Sequence, residues 1–543
     1  MILTSFNQGL RAPATEQRRS SSPAGAISRR SFTHSTLAAG ALAALPARLL
    51  WADASNPAAI PAQVNAIGLT GKPVTLAAAE IKELRAALRG PLLLAADDGY
   101  DTARRIWDPS FDHHPALIAR CANAEDVVHA VNFARTHGLR TGVRAGGHSV
   151  AGHSVPEGGL MIDVSPMKEI RIDTKNLRAY AQGGVLLGEL DRAMQAAGLA
   201  TTLGTVSDTG IAGLTLGGGV GRLMRRFGLA IDNLVSVDVV TADGKLLHAS
   251  SAENPDLFWA LRGGGGNFGV ATAFEYRLHP FKQQVLDGLR LLPYSQARSL
   301  FAAAAELAEQ APDDLTVGVA VSSATPGGRI PAGRYTVCLV TYTGQDPAVG
   351  LKLLEPLAKF GKPLADLIAP KSYLAAQDSR NNETAHGAAN VAVPSIPKTW
   401  YESGYLYSAP DALFDEIVRR FDEVPPYFDA TAGFSQMGGA IARVKPEATA
   451  FWNRGAKYDF LNDVSWNDSA KDEEARNAAR SVWAGVEPFT RGHYVNTIPD
   501  ASSQRVRTTY GDNYPRLVAL KERYDPTNLF RLNANIKPRT AAG

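Results

Sequence analysis

Cysteine is almost missing from this chain of 543 residues, with only Cys121 and Cys338 present. So few thiols exclude a disulfide framework and a thiolate metal cluster. Both lie in apolar, strand-like runs, so buried free thiols are expected. Net charge is scarce as well. The formal total is +3, but the first 52 residues hold six arginines against one glutamate, which leaves −2 for the remainder. That balance gives no reason to expect nucleic acid. The apolar run from Thr36 to Leu50 is too short to span a bilayer, so no permanent membrane anchor is expected. No glycine loop ends in Gly-Lys-Ser/Thr, which argues against a nucleoside triphosphate cradle. His113, His114, His148 and His153 show no spacing that marks a helix face, so no metal site is expected.

What is present is ordinary globular material, 45% hydrophobic and 20% charged. The length exceeds one compact core, so two domains with additions are expected. Ser28-Arg29-Arg30-Ser31-Phe32 stands before the alanine-rich apolar run, in the arrangement of an export signal. The paired arginines resemble a twin-arginine signal, whose machinery carries folded, cofactor-loaded proteins. Cleavage near Ala52 to Ala54 would follow, and the mature protein would be periplasmic or secreted.

Two glycine-rich stretches organise the rest. One is Arg144-Ala-Gly146-Gly147-His148-Ser149-Val-Ala-Gly152-His153-Ser154, and the other runs Gly210-Ile-Ala-Gly213-Leu-Thr-Leu-Gly217-Gly218-Gly219-Val-Gly221. Without Cβ atoms, such loops let backbone N–H groups turn inward and approach a diphosphate. The first follows a strand-helix-strand pattern: an apolar strand from Ala116 to Cys121, a helix capped by Asn123 with Asp126 three residues on, and a strand from Arg140 to Arg144.

The Arg144-to-Ser149 motif, followed by Leu160-Met-Ile-Asp163, closely resembles the berberine-bridge-enzyme-like FAD-linked oxidases, which share the vanillyl-alcohol-oxidase (PCMH-type) fold. The resemblance continues through Arg262-Gly-Gly-Gly-Gly-Asn267-Phe-Gly269-Val270 and returns at Gly492-His-Tyr494-Val-Asn496 and Asn533-Ala-Asn535. It implies an α+β fold in which a split FAD-binding domain is closed by the C-terminal segment, with an inserted α/β substrate domain built on an antiparallel sheet. The expected boundaries are 1–53 for the signal, 54–95 for a linker and a helix from Leu76 to Leu88, 96–282 for the FAD domain, 283–495 for the substrate domain and 496–543 for the closing segment.

The resemblance also implies roles. His148 would be bonded covalently to the 8α-methyl of FAD, a reaction that suits a nucleophilic imidazole. The remaining expected cofactor residues are Arg144, Gly146, Gly147, Ser149, Gly152, His153, Ser154, Thr209, Gly210, Gly213, Gly217, Gly218, Gly219, Gly221, Asn267, Gly269, Val270, Asn496, Asn533 and Asn535. Many relatives carry a second, cysteinyl flavin link four residues before the glycine. Here that position is Val206, so one covalent bond is expected rather than two. Thr209 stands where relatives tune oxygen access, and its valine-like size leans toward access. The frequent Gly-Gly-His becomes Gly213-Leu214, and Thr497 replaces a tyrosine that relatives commonly carry.

Alcohol oxidation transfers hydride to flavin N5 and needs a base for the hydroxyl proton. A tyrosine serves only if its pKa falls from near 10. Tyr494 and Tyr458 are the candidates, with Arg454 as electrostatic helper. The expected function is an exported oxidase acting on a small alcohol-type substrate, with dioxygen reduced to hydrogen peroxide. The alternatives are a dehydrogenase using another acceptor, a catalytically idle flavin-binding protein, and a serine hydrolase built on Gly147-His-Ser149-Val-Ala151.

Overall fold

The computed structural model describes residues 59–325, 331–379, 396–498 and 502–539. The export segment lies outside the described residues.

Where a linker was expected, the chain forms a hairpin. Gln63–Ile67 pairs antiparallel with Pro73–Ala77, and the helix Ala78–Ala87 starts only after that strand. Alternation explains the difference. Leu76 points into a core that also holds Ile81 and Leu84 of the helix, so the residues before Ala78 are more useful as strand than as helix.

The FAD-binding part has two sheets. In the first, Leu117–Arg120 and Thr141–Arg144 flank Leu160–Asp163 in parallel, with Leu92–Leu93 antiparallel at one edge. The crossover helix Ala124–Thr136 is capped by Asn123, whose Oδ1 accepts from the Asp126 N–H at 2.9 Å. Its Val127, Ala130, Val131 and Ala134 bury against the sheet at helical spacing. The second sheet is antiparallel, in the order Leu246–Ser250, Leu234–Val240, Val270–Arg277, Arg178–Gln182, Ile170–Asp173.

Among the described residues the substrate-side sheet has eight strands, all antiparallel, with Tyr458–Trp466 between Asp429–Gln436 and Lys398–Leu406. One face packs on the helices Ala297–Gln310, Asp411–Asp422 and Asp472–Val486 through Val317, Val340, Phe434 and Phe460. The opposite face looks toward the FAD-binding part. Cys338 is buried among the helix-side residues and Cys121 in the parallel-sheet core, and both are free thiols.

The C-terminal segment folds back on the FAD-binding part. Lys521, fully buried, donates to Asp525 at 2.6 Å and to the carbonyls of Asn267 and Phe530 at 2.8 and 2.9 Å. Asn267 donates to Ala534 O and accepts from the Ile536 N–H. These bonds carry Phe530 to Ala534 to the wall of the central cleft.

Candidate active site

The strand Thr141–Arg144 ends in the His148 loop, and Val185 and Leu187 bond the segment that opens the second glycine run. The two loops touch at glycine. A Cβ on Gly146 would stand 2.4 Å from Gly210 Cα, so neither position admits a side chain. Gly147 has φ +73°, a left-handed conformation that favours glycine, and its carbonyl accepts from the Trp107 N–H at 2.8 Å.

His148 is held by its surroundings. Its side chain is 4% exposed and stacks on Trp107 with ring centroids 5.2 Å apart. Burial pushes its pKa down to about 4, so the imidazole is neutral at ordinary pH. Nδ1 has no hydrogen-bond partner among the described residues, and Nε2 is 4.0 Å from Asp208 Oδ1, too far for a hydrogen bond. His153 is likewise pushed to about 4 by desolvation.

The cleft around His148 is lined by both glycine loops, by Gly265, Gly266 and Gly269, by Tyr494 to Asn496 and by the tail from Phe530 to Ala534. It brings together Gly146, Gly147, Ser149, His153, Ser154, Thr209, Gly210, Gly213, Asn496 and Asn533 with His148. Ser154 Oγ and Asn533 Oδ1 are buried there without partners, as His148 Nδ1 is. A Cβ on Gly213 would meet nothing within 4 Å. Unpaired polar atoms around open space beside glycine backbone suit a polar cofactor such as FAD, since buried polar groups are otherwise satisfied.

Other expected cofactor residues shape the cleft from behind. Arg144 is committed to Asp163 at 3.2 Å, a carboxylate it shares with Arg120, so it anchors the loop instead of lining the cleft. Gly152 packs on Phe111, Gly217 on Asn496, Gly218 on Phe451, Gly219 on Ala230 and Gly221 on the Leu203 carbonyl. Val270 is core, Asn267 stitches the tail, and Asn535 lies outside the lining.

A second cavity adjoins the first, sharing Thr209, Leu214 and Tyr494 with it. It lies between the Thr205–Thr209 segment and the free face of the substrate-side sheet, with Val206, Val220, Leu339 and Leu461 as its apolar walls.

The catalytic candidates separate here. Tyr494 borders both cavities. Its hydroxyl accepts from Asn496 Nδ2 at 2.9 Å and from the Gly219 N–H at 3.3 Å, yet burial pushes its pKa up to about 12, the wrong direction for a base at neutral pH. Tyr458 faces the helix side, packed on Phe434 with its hydroxyl near Ala305 O, and reaches neither cavity. Arg454, 1% exposed, forks onto Asp232 at 2.7 and 2.8 Å and is used up in joining the two parts of the molecule.

Asp459 is the residue that the sequence reading missed. It follows Tyr458 on the same strand, so its side chain points to the opposite face and lines the second cavity. Its Oδ1 is sealed from water without a partner, and desolvation raises its pKa to about 7. The available signal was the alternation itself: if Tyr458 is core, Asp459 is not.

Residues 115–250 match the family model described as FAD binding domain, and 493–537 match the one described as berberine and berberine like. The chain is 30% identical to the FAD-linked oxidoreductase YvdP of Bacillus subtilis, over 83% of this chain and 98% of that protein. It is 31% identical to (R)-6-hydroxynicotine oxidase of Paenarthrobacter nicotinovorans, over 83% of this chain and 97% of that one. The crystal structure of 6-hydroxy-D-nicotine oxidase from Arthrobacter nicotinovorans superposes with a TM-score of 0.74 at 28% identity, covering 83% of this chain and 98% of the other.

Proposed function

The chain belongs to the berberine-bridge-enzyme-like FAD-linked oxidoreductases, and from that premise we propose that it is an exported oxidase holding FAD through one covalent bond at His148. It takes hydride from a carbon that bears a protonated heteroatom, an alcohol carbon in the expectation from sequence, and passes the electrons to dioxygen with release of hydrogen peroxide. The twin-arginine-like segment supports delivery to the periplasm or the exterior as a folded holoprotein.

The observation that carries this reading is the unpartnered Nδ1 of a neutral His148, which lines a cleft that shares Thr209 and Tyr494 with the Asp459 cavity. When bound, FAD supplies the two-electron acceptor. The protein supplies the rest. Ser154, Asn496, Asn533 and the glycine backbone would hold the cofactor, with Trp107 fixing the imidazole plane from behind. Val206 makes no second link. The Tyr494 phenol, kept protonated by burial, orients the substrate at the border of the two cavities. Asp459 takes the heteroatom proton, with a pKa near neutrality as that task requires. Thr209, 8% exposed, leaves at that border about the space a valine would.

The test is an absorption spectrum of the purified protein followed by acid precipitation. Yellow colour that stays with the pellet and is absent from His148→Ala supports the linkage, and peroxide release on substrate addition supports the oxidase. Flavin that washes from the wild-type pellet would sink the covalent reading.

A further inference from the structure

The second cavity is chemically lopsided. Among the described residues Asp459 is the sole carboxylate in its lining, and no lysine, arginine or histidine accompanies it there. Several other buried carboxylates of the molecule face a cation: Asp163 faces Arg144, Asp232 faces Arg454, Asp287 faces Arg222 and Asp525 faces Lys521, while Asp126 and Asp191 are held by backbone N–H groups or an amide instead. Around Asp459 the neighbours in register are Ser435 and Tyr405, and the Tyr405 hydroxyl is also buried without a partner. A desolvated carboxylate is costly unless a positive charge meets it.

Away from Asp459 the cavity is uncharged, with valine and leucine walls and the hydroxyl residues Thr205, Thr209, Thr431, Ser435, Tyr494 and Thr497 among them, and its volume of about 80 Å³ is small. That is well below the ~300 Å³ at which pockets for drug-sized ligands begin. Such a space is too small for a disaccharide, and the one charge it offers is negative. Resting on the oxidase reading above, we propose that the substrate is a compact amine, bound as its ammonium ion against Asp459 with an apolar body against Val220, Leu339 and Leu461.

The chemistry balances. The ammonium gives one N–H proton to Asp459, and the adjacent carbon gives up its hydrogen with two electrons as hydride to the flavin while a C=N bond forms. Dioxygen receives both electrons, the hydride hydrogen and the Asp459 proton as hydrogen peroxide. An ammonium R₂CH–NH₂R′⁺ and one O₂ thus yield an iminium R₂C=NHR′⁺ and one H₂O₂. Asp459 returns to its carboxylate form.

The holoenzyme is titrated with benzyltrimethylammonium, a permanent cation that cannot be oxidised in this way, while the flavin absorption is followed. It is then mixed anaerobically with N-methylbenzylamine, benzyl alcohol or xylobiose. The cation is expected to perturb the flavin spectrum and the amine to bleach it, with neither neutral compound competing. Asp459→Asn should weaken cation binding at least tenfold while flavin content stays constant, and Asp459→Glu should recover part of it. Faster bleaching by benzyl alcohol or xylobiose, unchanged cation binding in Asp459→Asn, or no response to cation and amine alike overturns the proposal. Failure of the oxidase reading looks different: photoreduced enzyme would not form peroxide in air, and the cation titration, which needs no turnover, would still decide the amine question.

Discussion

The cofactor cleft and the substrate cavity share Thr209, Leu214 and Tyr494, yet they are made of different material. The cleft is mostly backbone, with glycines in contact at Gly146 and Gly210 and single polar atoms of His148, Ser154 and Asn533 left unpaired. The cavity is mostly side chain, projected from strands whose register sets the neighbours, and one carboxylate supplies its charge. A backbone-built site recognises a fixed cofactor and tolerates little change. A site made from side chains on a sheet face can change its ligand with one substitution, because each second residue along a strand meets the cavity and the others do not.

The sharpest way to break the comparison is at His148. In His148→Ala the covalent flavin should vanish entirely, read as colourless acid-precipitated protein. Because burial sets the imidazole near 4, below its ordinary 6.5, the nitrogen is neutral at all pH values above that. Attachment in wild type should therefore be independent of pH from about 5 upward, and a rate that climbs through 6 to 7 would place His148 in water instead.

Next in size is Asp459→Asn, which should lower turnover by ~10²–10⁴, the range for removing a positioned base, with covalent flavin unchanged. Wild-type turnover should rise as pH passes about 7, where the carboxylate forms, and the variant should lose that limb. The phenols of Tyr405 and Tyr494, which face Asp459, stay protonated across this window. Stability runs the other way. The folded pKa lies above the ordinary 3.8, so the folded state binds more protons than the unfolded one between about 4 and 7. The contribution is complete below about 4 and is lost as pH rises through 7. Urea midpoints of the apo variant should show a flatter pH dependence.

These two residues also mark what the sequence could yield. His148 was legible because its loop is contiguous: eleven residues from Arg144 to Ser154 carry the histidine, the turns and the close-approach glycines together. The α+β architecture and the folded-back tail were legible for the same reason. Asp459 was not, since its meaning depends on Ser435 and Tyr405, which lie beside it only through sheet register. Tyr458 drew attention in its place as a motif residue with plausible chemistry, but the pleat turns it into the helix-side core. Arg454 misled similarly, because its partner Asp232 is 222 residues away. The hairpin at Gln63–Ala77 was hidden by weak local pattern until the core it covers was known.

A third substitution tests how the cleft is closed. Asp525→Asn leaves the Lys521 ammonium buried with only the carbonyls of Asn267 and Phe530 and a neutral amide. Removing one partner of a buried ion pair costs about 3–5 kcal/mol. The urea midpoint should fall accordingly, with hydrogen exchange rising first at Leu529 and Phe530, whose N–H groups donate to Asp525.

Thr497 gives the smallest effect and separates framework from chemistry at the cavity rim. It borders the cavity where relatives commonly carry a tyrosine, which would suggest a catalytic role. Its hydroxyl, however, is already engaged within the protein, 2.5 Å from Ser403 Oγ and 3.1 Å from the Tyr494 carbonyl. Thr497→Val keeps the shape and removes both bonds, leaving Ser403 to find another partner beside a buried strand. The expected cost is about 1 kcal/mol of stability, the usual net value of a hydrogen bond. Turnover should stay within about twofold of wild type, because a group that acts on the framework does not change the barrier at the reacting carbon. A hundredfold loss of turnover with unchanged stability would move the proton-accepting chemistry from the sheet face to the C-terminal segment, and the contrast between the two cavities would then fail at the boundary they share.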